Sequence, residues 1–419
     1  MNPGLFQRFE GIFLLDGIRT PMVDYMGAFA EANPIDLGIA AARAALQRAD
    51  VPASQVDSVL AGNMAPGGFD QFYVPRHIGL YSGVPVQVPA LMVQRICGTG
   101  FELFRQAAEQ MATGGASTAL LVGAESMTRN PIAAFDHRGG FRLGAPVGFK
   151  DYMWEALTDP AAVSMIMTAE NLARQYGISR QDVDHFAAVS FARAVAAQES
   201  GWLAGEITPV QDAVFELPGY KPRRLKLSGK HSLADRDTHP RPTPVEVLSG
   251  LRTVFADGVQ TGGNSSALTD AAAAAVLARA DVAQQWQQRT GRRALGRVAA
   301  AAVVGVPPEI MGIGPAPAIR RLLGGVGLAL SDIARFEINE AQGAQTLAVA
   351  RDLDVPADRL NVHGGAIALG HPLAATGVRL TVTVARQLQA IGARWGVASA
   401  CIGGGQGIAL LIENPQASA

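Results

Sequence analysis

The sequence predicts an α/β fold made of two similar layered halves, with a loop-rich segment inserted in the first. Three observations carry this. Short apolar runs alternate with longer stretches of helical periodicity along most of the chain, the pattern of layered α/β proteins. The end of the chain repeats the order of its beginning: strand, glycine turn, helix, glycine, strand. The 419 residues are 48% apolar, rich in Gly and Ala and poor in aromatics. That is enough for two or three domains with helices packed closely on sheets.

Each element has a local reason. GIFLLDGI (11–18) reads as a strand. PIDLGIAAARAALQRA (34–49) has apolar residues at helical spacing, with Asp36 in its first turn. VDSVLAGNM (56–64) returns as a strand, a helix follows Cys97 and ends near Gly114, and STALLVGAES (117–126) is again strand-like. From 127 to 248 the texture changes. A loop-rich start over 129–149 leads into helical patterns at 161–175 and 179–200, then a Pro- and Lys/Arg-rich stretch over 216–244. Such a long aperiodic segment is functional or an insertion, and its basic residues either meet phosphates or form a solvated loop. Beyond it, 265–280 reads as a helix after a Gly-Gly-Asn turn, and RVAAAAVVGV (297–306) as a strand. PAPAIRRLLGGVG starts a helix on prolines, ARFEINEA is strand then turn, and QTLAVARDL is helix. The chain closes with a glycine-rich helix start at His371 and two strands joined by glycines. The expected halves are residues 1–126 with 249–292, and 293–419, with 127–248 inserted.

A formal net charge of -1, with acids and bases interspersed, gives no field for nucleic acid or an anionic membrane surface. Two distant cysteines make no disulfide framework, and no Cys/His cluster has zinc spacing, so no metal is expected. The N-terminal stretch lacks the basic start and long apolar region of a signal peptide. The Ala-rich run at 271–277 is too short to span a bilayer. These features predict a soluble protein of a reducing, cytoplasmic compartment.

Four short motifs carry chemistry. Cys97 sits between a strand-like run and a helix start softened by Gly98 and Gly100. Unpaired N–H groups and the helix dipole bias a thiol there toward thiolate. The glycines let a backbone or a ligand approach. In GHPLAATG (370–377), His371 is a residue type able to take a thiol proton. In ACIGGGQG (400–407), Cys401 ends a strand beside glycines whose N–H groups can serve an oxyanion or a phosphate. Asn339, in NEA after a strand, can orient a water or donate to a carbonyl. Taken singly, each is as well explained by a buried cysteine, a capping histidine or an ordinary turn residue.

Jointly and in this order, the motifs resemble the thiolase family of acyl-CoA acyltransferases. The similarity extends from DGIRTP (16–21) through MIMTAENLARQYGISRQDVDHFA, VQTGGNSSALTDAAAA, MGIGPAPAI and NVHGGAIALGHP to CIGGGQGIALLIE, nearly the whole chain. The resemblance implies the family's duplicated αβαβα layered fold with an inserted loop domain. It implies Cys97 as the acylated nucleophile, His371 as its base and Cys401 as a second acid/base. Asn339 would hold a water that forms one oxyanion hole with His371, and Gly403 with the Cys97 N–H would form the other. Met165, Arg241, Phe255 and Ser266 align with positions that touch coenzyme A. Coenzyme A is then a substrate, with no permanently bound cofactor. The implied partners are acyl-CoA thioesters and further copies of the chain, in a homodimer or homotetramer, and a hydratase/dehydrogenase subunit stays open.

Ser164 and Gln342 depart from the pattern, standing where acetoacetyl-CoA enzymes usually carry His and Phe. That favours degradative thiolysis of longer or unusual chains, with a polar acyl group hydrogen-bonded by Gln342 as one option. The alternatives are a biosynthetic acetoacetyl-CoA-forming thiolase, a ketosynthase and a non-catalytic acyl-CoA- or lipid-binding relative. The second cysteine argues against the ketosynthase. The retained reactive residues argue against the non-catalytic relative. A redox switch between Cys97 and Cys401 is compatible with catalysis.

Overall fold

The computed structural model describes residues 4–135, 138–144 and 146–417. Within the loop expected over 129–149, positions 136, 137 and 145 lie outside the described residues, as do the first three residues of the chain.

The strands are β1 Leu5–Arg8, β2 Ile12–Arg19, β3 Val23–Asp24, β4 Ser58–Gly62, β5 Ala90–Val93, β6 Thr118–Ser126, β7 Ile132–Ala133, β8 Lys150–Asp151, β9 Ala213–Phe215, β10 Arg223–Leu225, β11 Thr269–Arg279, β12 Gly296–Gly305, β13 Ile333–Ile338, β14 Trp395–Ile402 and β15 Gln406–Glu413. The helices are α1 Pro34–Ala49, α2 Val74–Tyr81, α3 Thr99–Ala112, α4 Tyr152–Ala156, α5 Met165–Tyr176, α6 Arg180–Glu199, α7 Val245–Ser249, α8 Ala280–Thr290, α9 Pro315–Val326, α10 Gly343–Leu353, α11 Ala366–Leu369 and α12 Leu373–Ile391.

The main sheet runs β13-β14-β15-β12-β2-β11-β6-β4-β5, with β1 on β12 and β3 on β11. Its two halves meet where Gly296 and Arg297 of β12 pair with Leu14 and Phe13 of β2. Each half is covered on two faces. Helices α1 and α2 pack on the outer face of the β2-side half. Helices α9, α10 and α5 cover the outer face of the β12-side half. Between the halves lie α3 and α12, whose apolar faces share one core with strands of both. The result is the five-layered αβαβα arrangement.

The expected helix at 265–280 is instead strand β11, fully buried from Thr269 to Ala278 between β2 and β6. Alanine is the best helix former, but this run has no polar face, and helices α1 and α12 lie against the strand. Small side chains let both helices approach, and a strand buried on two faces reads as a continuous apolar run. The helical pattern at 179–200 is α6, closed at its start by a capping box between Ser179 and Asp182. The pattern at 161–175 begins later, at Met165, because Ser164 is the N-cap and accepts from Met167 N at 3.3 Å.

Residues 127–248 leave the sheet after β6 and return before β11, its neighbour in the sheet. The basic stretch within them is anchored in part. Arg223 pairs with Asp36 at 2.6 Å and with Asp70 at 2.8 Å, and Lys226 pairs with Glu31 at 3.2 Å.

Candidate active site

The site forms where α3 and α12 begin side by side. Gly100 of α3 lies so close to α12 that an added Cβ would sit 2.6 Å from Val378 N and 2.7 Å from Ala374 O. At Gly98 a Cβ would meet the Ile402 side chain at 2.6 Å. These glycines therefore serve the close approach of protein to protein, and the acyl group is not what they admit. Glu125, at the end of β6, ties the same point together. Its carboxylate accepts from Asn63 Nδ2, Met64 N, Ala65 N and Ala374 N at 3.0–3.3 Å. Burial pushes its pKa up to about 7.

Cys97 sits in a 3₁₀ turn, Ile96–Gly98, that runs into α3. Ile96 has φ 46°, a left-handed conformation costly for a β-branched residue. The turn is held by Thr99 Oγ1, which accepts from Arg95 N at 2.8 Å and donates to Ile96 O at 2.7 Å. Arg95 is fixed in turn on Glu102 at 3.0 Å and Gln406 at 2.8 Å.

His371 lies between α11 and α12. Its backbone N–H donates to Ala267 O at 3.0 Å. The ring nitrogen Nδ1 is 2.7 Å from Thr376 Oγ1, and Nε2 is 3.3 Å from Asn339 Nδ2. Asn339 is fixed by its own N–H on Ser399 O at 2.9 Å, and its Oδ1 is buried with no partner among the described residues.

Cys97 and His371 line one cavity of about 70 Å³, together with Met165, Ser266 and Gln342. Cys401, fully buried, packs against the cavity residues Met165, Met311 and Ala341. The Gly403 N–H and the Cys97 N–H both face the Cys97 sulfur. Two of the expected coenzyme A contacts lie elsewhere. Arg241 is exposed, its guanidinium 5.6 Å from the centre of the Phe191 ring, and Phe255 is half-buried outside the cavity wall. Among the described residues no group of three or more His, Cys, Asp or Glu could hold a metal ion.

The electrostatics correct one expectation. Burial pushes the Cys97 thiol up to about 11, against the opposing pull of the Gly403 N–H and its own N–H. Burial first, and then the positive charge of Arg379, push His371 down to about 3. The resting pair is thus a neutral thiol and a neutral imidazole. The helix-start N–H groups are outweighed because the sulfur sits among Met127, Leu373 and Ile96. Burial also pushes the Cys401 thiol up, so it stays protonated and able to donate. The set thus offers a protonated thiol and a neutral imidazole base on the wall of one cavity.

Below its raised pKa a thiol gains thiolate tenfold per pH unit. Iodoacetamide alkylation of Cys97 is therefore expected to accelerate about tenfold per unit from pH 7 to 10. A plateau below pH 9 in the measured rate constants would mean a thiolate already formed by the helix.

Sequence reasoning missed Thr376 and Glu125. Thr376 stands inside GHPLAATG, five residues after the histidine, in the first turn of α12, and its hydroxyl meets the ring there. Glu125 shows as an acid ending an otherwise apolar strand.

The thiolase N-terminal domain model matches residues 12–281 and the thiolase C-terminal domain model residues 292–414. Mitochondrial 3-ketoacyl-CoA thiolase of Bos taurus is 39% identical over 97% of this chain and 98% of its own. A beta-ketoadipyl-CoA thiolase of Acinetobacter baylyi is 38% identical over 96% and 98%. The crystal structure of human mitochondrial 3-ketoacyl-CoA thiolase in complex with CoA superposes with a TM-score of 0.89 at 38% identity, covering 96% of this chain and 98% of that one.

Proposed function

This chain belongs to the thiolase family and is an acyltransferase, and we propose that it cleaves 3-ketoacyl-CoA with CoA through an acyl group carried on Cys97. The observation that carries this is that Cys97 and His371 line one cavity, with Asn339 against the His371 ring and Cys401 packed behind the cavity residues Met165, Met311 and Ala341.

In the first stage His371 Nε2 takes the thiol proton and the sulfur attacks C3 of the substrate. The C2–C3 bond breaks, the acyl group stays on sulfur, and the electron pair leaves as the enolate of acetyl-CoA. Cys401, held protonated by burial, gives that enolate its proton at C2. In the second stage CoA gives its thiol proton to the Cys401 thiolate left by the first stage and attacks the thioester, and the shortened acyl-CoA departs as the Cys97 sulfur takes its proton back from His371. The N–H groups of Gly403 and Cys97 are aimed at the sulfur's surroundings, where the thioester oxygen gathers charge, and fixed donors in a buried site are worth several kcal/mol there. Asn339 and His371 serve the second oxygen. Ser266 and Met165 meet the pantetheine end of CoA in this reading, and Arg241 and Phe255 its outer part.

Degradation of chains longer than acetoacetyl-CoA is supported by the wall. Met64, Met127, Met153, Met165 and Met311 line the cavity, and these unbranched side chains re-pack at low cost. The test is thiolysis across a 3-ketoacyl-CoA length series, followed by the loss of substrate absorbance on adding CoA. Turnover that rises with length beyond four carbons is expected. Turnover of acetoacetyl-CoA alone would favour the biosynthetic reading, and none at all would end the thiolase reading.

Assembly as a homodimer or homotetramer is supported by β5, the sheet's outer strand, and by exposed Phe69, Phe72 and Leu91. A reducing, cytoplasmic setting is supported by two free cysteines. Among the described residues no helix is long and apolar enough to cross a membrane.

A further inference from the structure

Gln342 is the N-cap of α10, and its backbone is pinned. Its N–H donates to Gln345 Oε1 at 3.4 Å, and its carbonyl accepts from Thr346 N at 3.1 Å and Thr346 Oγ1 at 3.2 Å. The side chain lines the same cavity as Cys97 and is 6% exposed. Its Oε1 is buried with no hydrogen-bond partner among the described residues. An unmet buried amide oxygen costs free energy that a ligand donor recovers. The rest of the wall is chiefly methionine, alanine and leucine, with the Ser266 hydroxyl and the Asn130 amide, one N–H of which donates to Ser126 O at 2.8 Å.

Among the described residues no Lys or Arg lines the cavity, and the one imidazole among them that lines it, His371, is held neutral. A free carboxylate on the acyl chain would therefore be buried without a counter-charge. A hydroxyl has no such cost. It both donates and accepts, so it satisfies the amide whichever of its two atoms faces the cavity.

We propose that Gln342 makes this enzyme selective for 3-ketoacyl-CoA thioesters whose acyl chain carries a hydroxyl group, which hydrogen-bonds the buried amide. This rests on the thiolase reading above.

The test compares kcat/KM for thiolysis of 3-ketooctanoyl-CoA with its analogues hydroxylated at C5, C6, C7 or C8. The expected result is that one hydroxylated isomer exceeds the plain chain by about tenfold or more, the size of one buried hydrogen bond. Gln342→Leu and Gln342→Met should bring that ratio close to one. A smaller wild-type advantage for every isomer overturns the proposal, whether or not a variant folds. So does an advantage that persists in a variant that turns over. Thiolysis of the plain chain with no hydroxyl preference sinks the proposal alone. No thiolysis of any of the five substrates sinks it together with the thiolase reading.

Discussion

Cys97→Ala is expected to lower kcat/KM for thiolysis by at least about 10⁴-fold, because in the proposed mechanism this residue forms and breaks the bond on which both stages depend. Loss of one buried sulfur atom costs about 1 kcal/mol of stability at most, so the variant should unfold within a few degrees of the parent. Intact-mass measurement separates the chemistry from the fold. The parent incubated with acyl-CoA should gain one acyl group, and the alanine variant none. Retention of more than about a tenth of the parent activity would mean that another group carries the acyl chain. The size of the effect follows from the turn itself. Ile96 in a left-handed conformation, clamped by Thr99 and Arg95, delivers this one side chain to the cavity beside His371, and among the described residues no other thiol lines the wall.

Gly123→Val is the second large effect. Gly123 lies on β6, and a Cβ there would sit 2.0 Å from Ala374 O, in the first turn of α12. Gly377 of that helix lies equally close to α3, where a Cβ would sit 2.3 Å from Phe101 N. The start of α12 is thus wedged between β6 and α3 with backbone against backbone. Valine must push the turn outward, at an expected cost of about 3–5 kcal/mol in denaturant unfolding. The same shift displaces His371 and Leu373. Misplacement of a catalytic group by about 1 Å costs on the order of 100-fold in kcat. A variant within 1 kcal/mol of the parent and equally active would show that α12 is free to move, and that the glycine pair does not fix the site.

The order of elements was legible where periodicity was strong. The α1 and α6 helices and strands β2, β6, β14 and β15 stand where the pattern places them. The identities of Cys97, His371, Asn339 and Cys401 were legible as motifs. Strand β11 was not, because an alanine run carries no period and its conformation depends on β2 and β6 at its sides. Thr376 and Glu125 were hidden for a related reason, since each acts through a partner distant in space or across a helix start.

By itself the sequence determined the family, the layered α/β class and the side chains available for reaction. Side-chain chemistry and local spacing are written in the chain directly. Only the tertiary structure decided that α3 and α12 begin at one point, that the thiol and the imidazole there are both neutral, and that Gln342 lines the same cavity as Cys97 with an unmet amide oxygen. Those properties come from burial and from contacts between segments far apart in the chain. Desolvation, which here overrides the helix-start N–H groups, is set by what surrounds the sulfur in space.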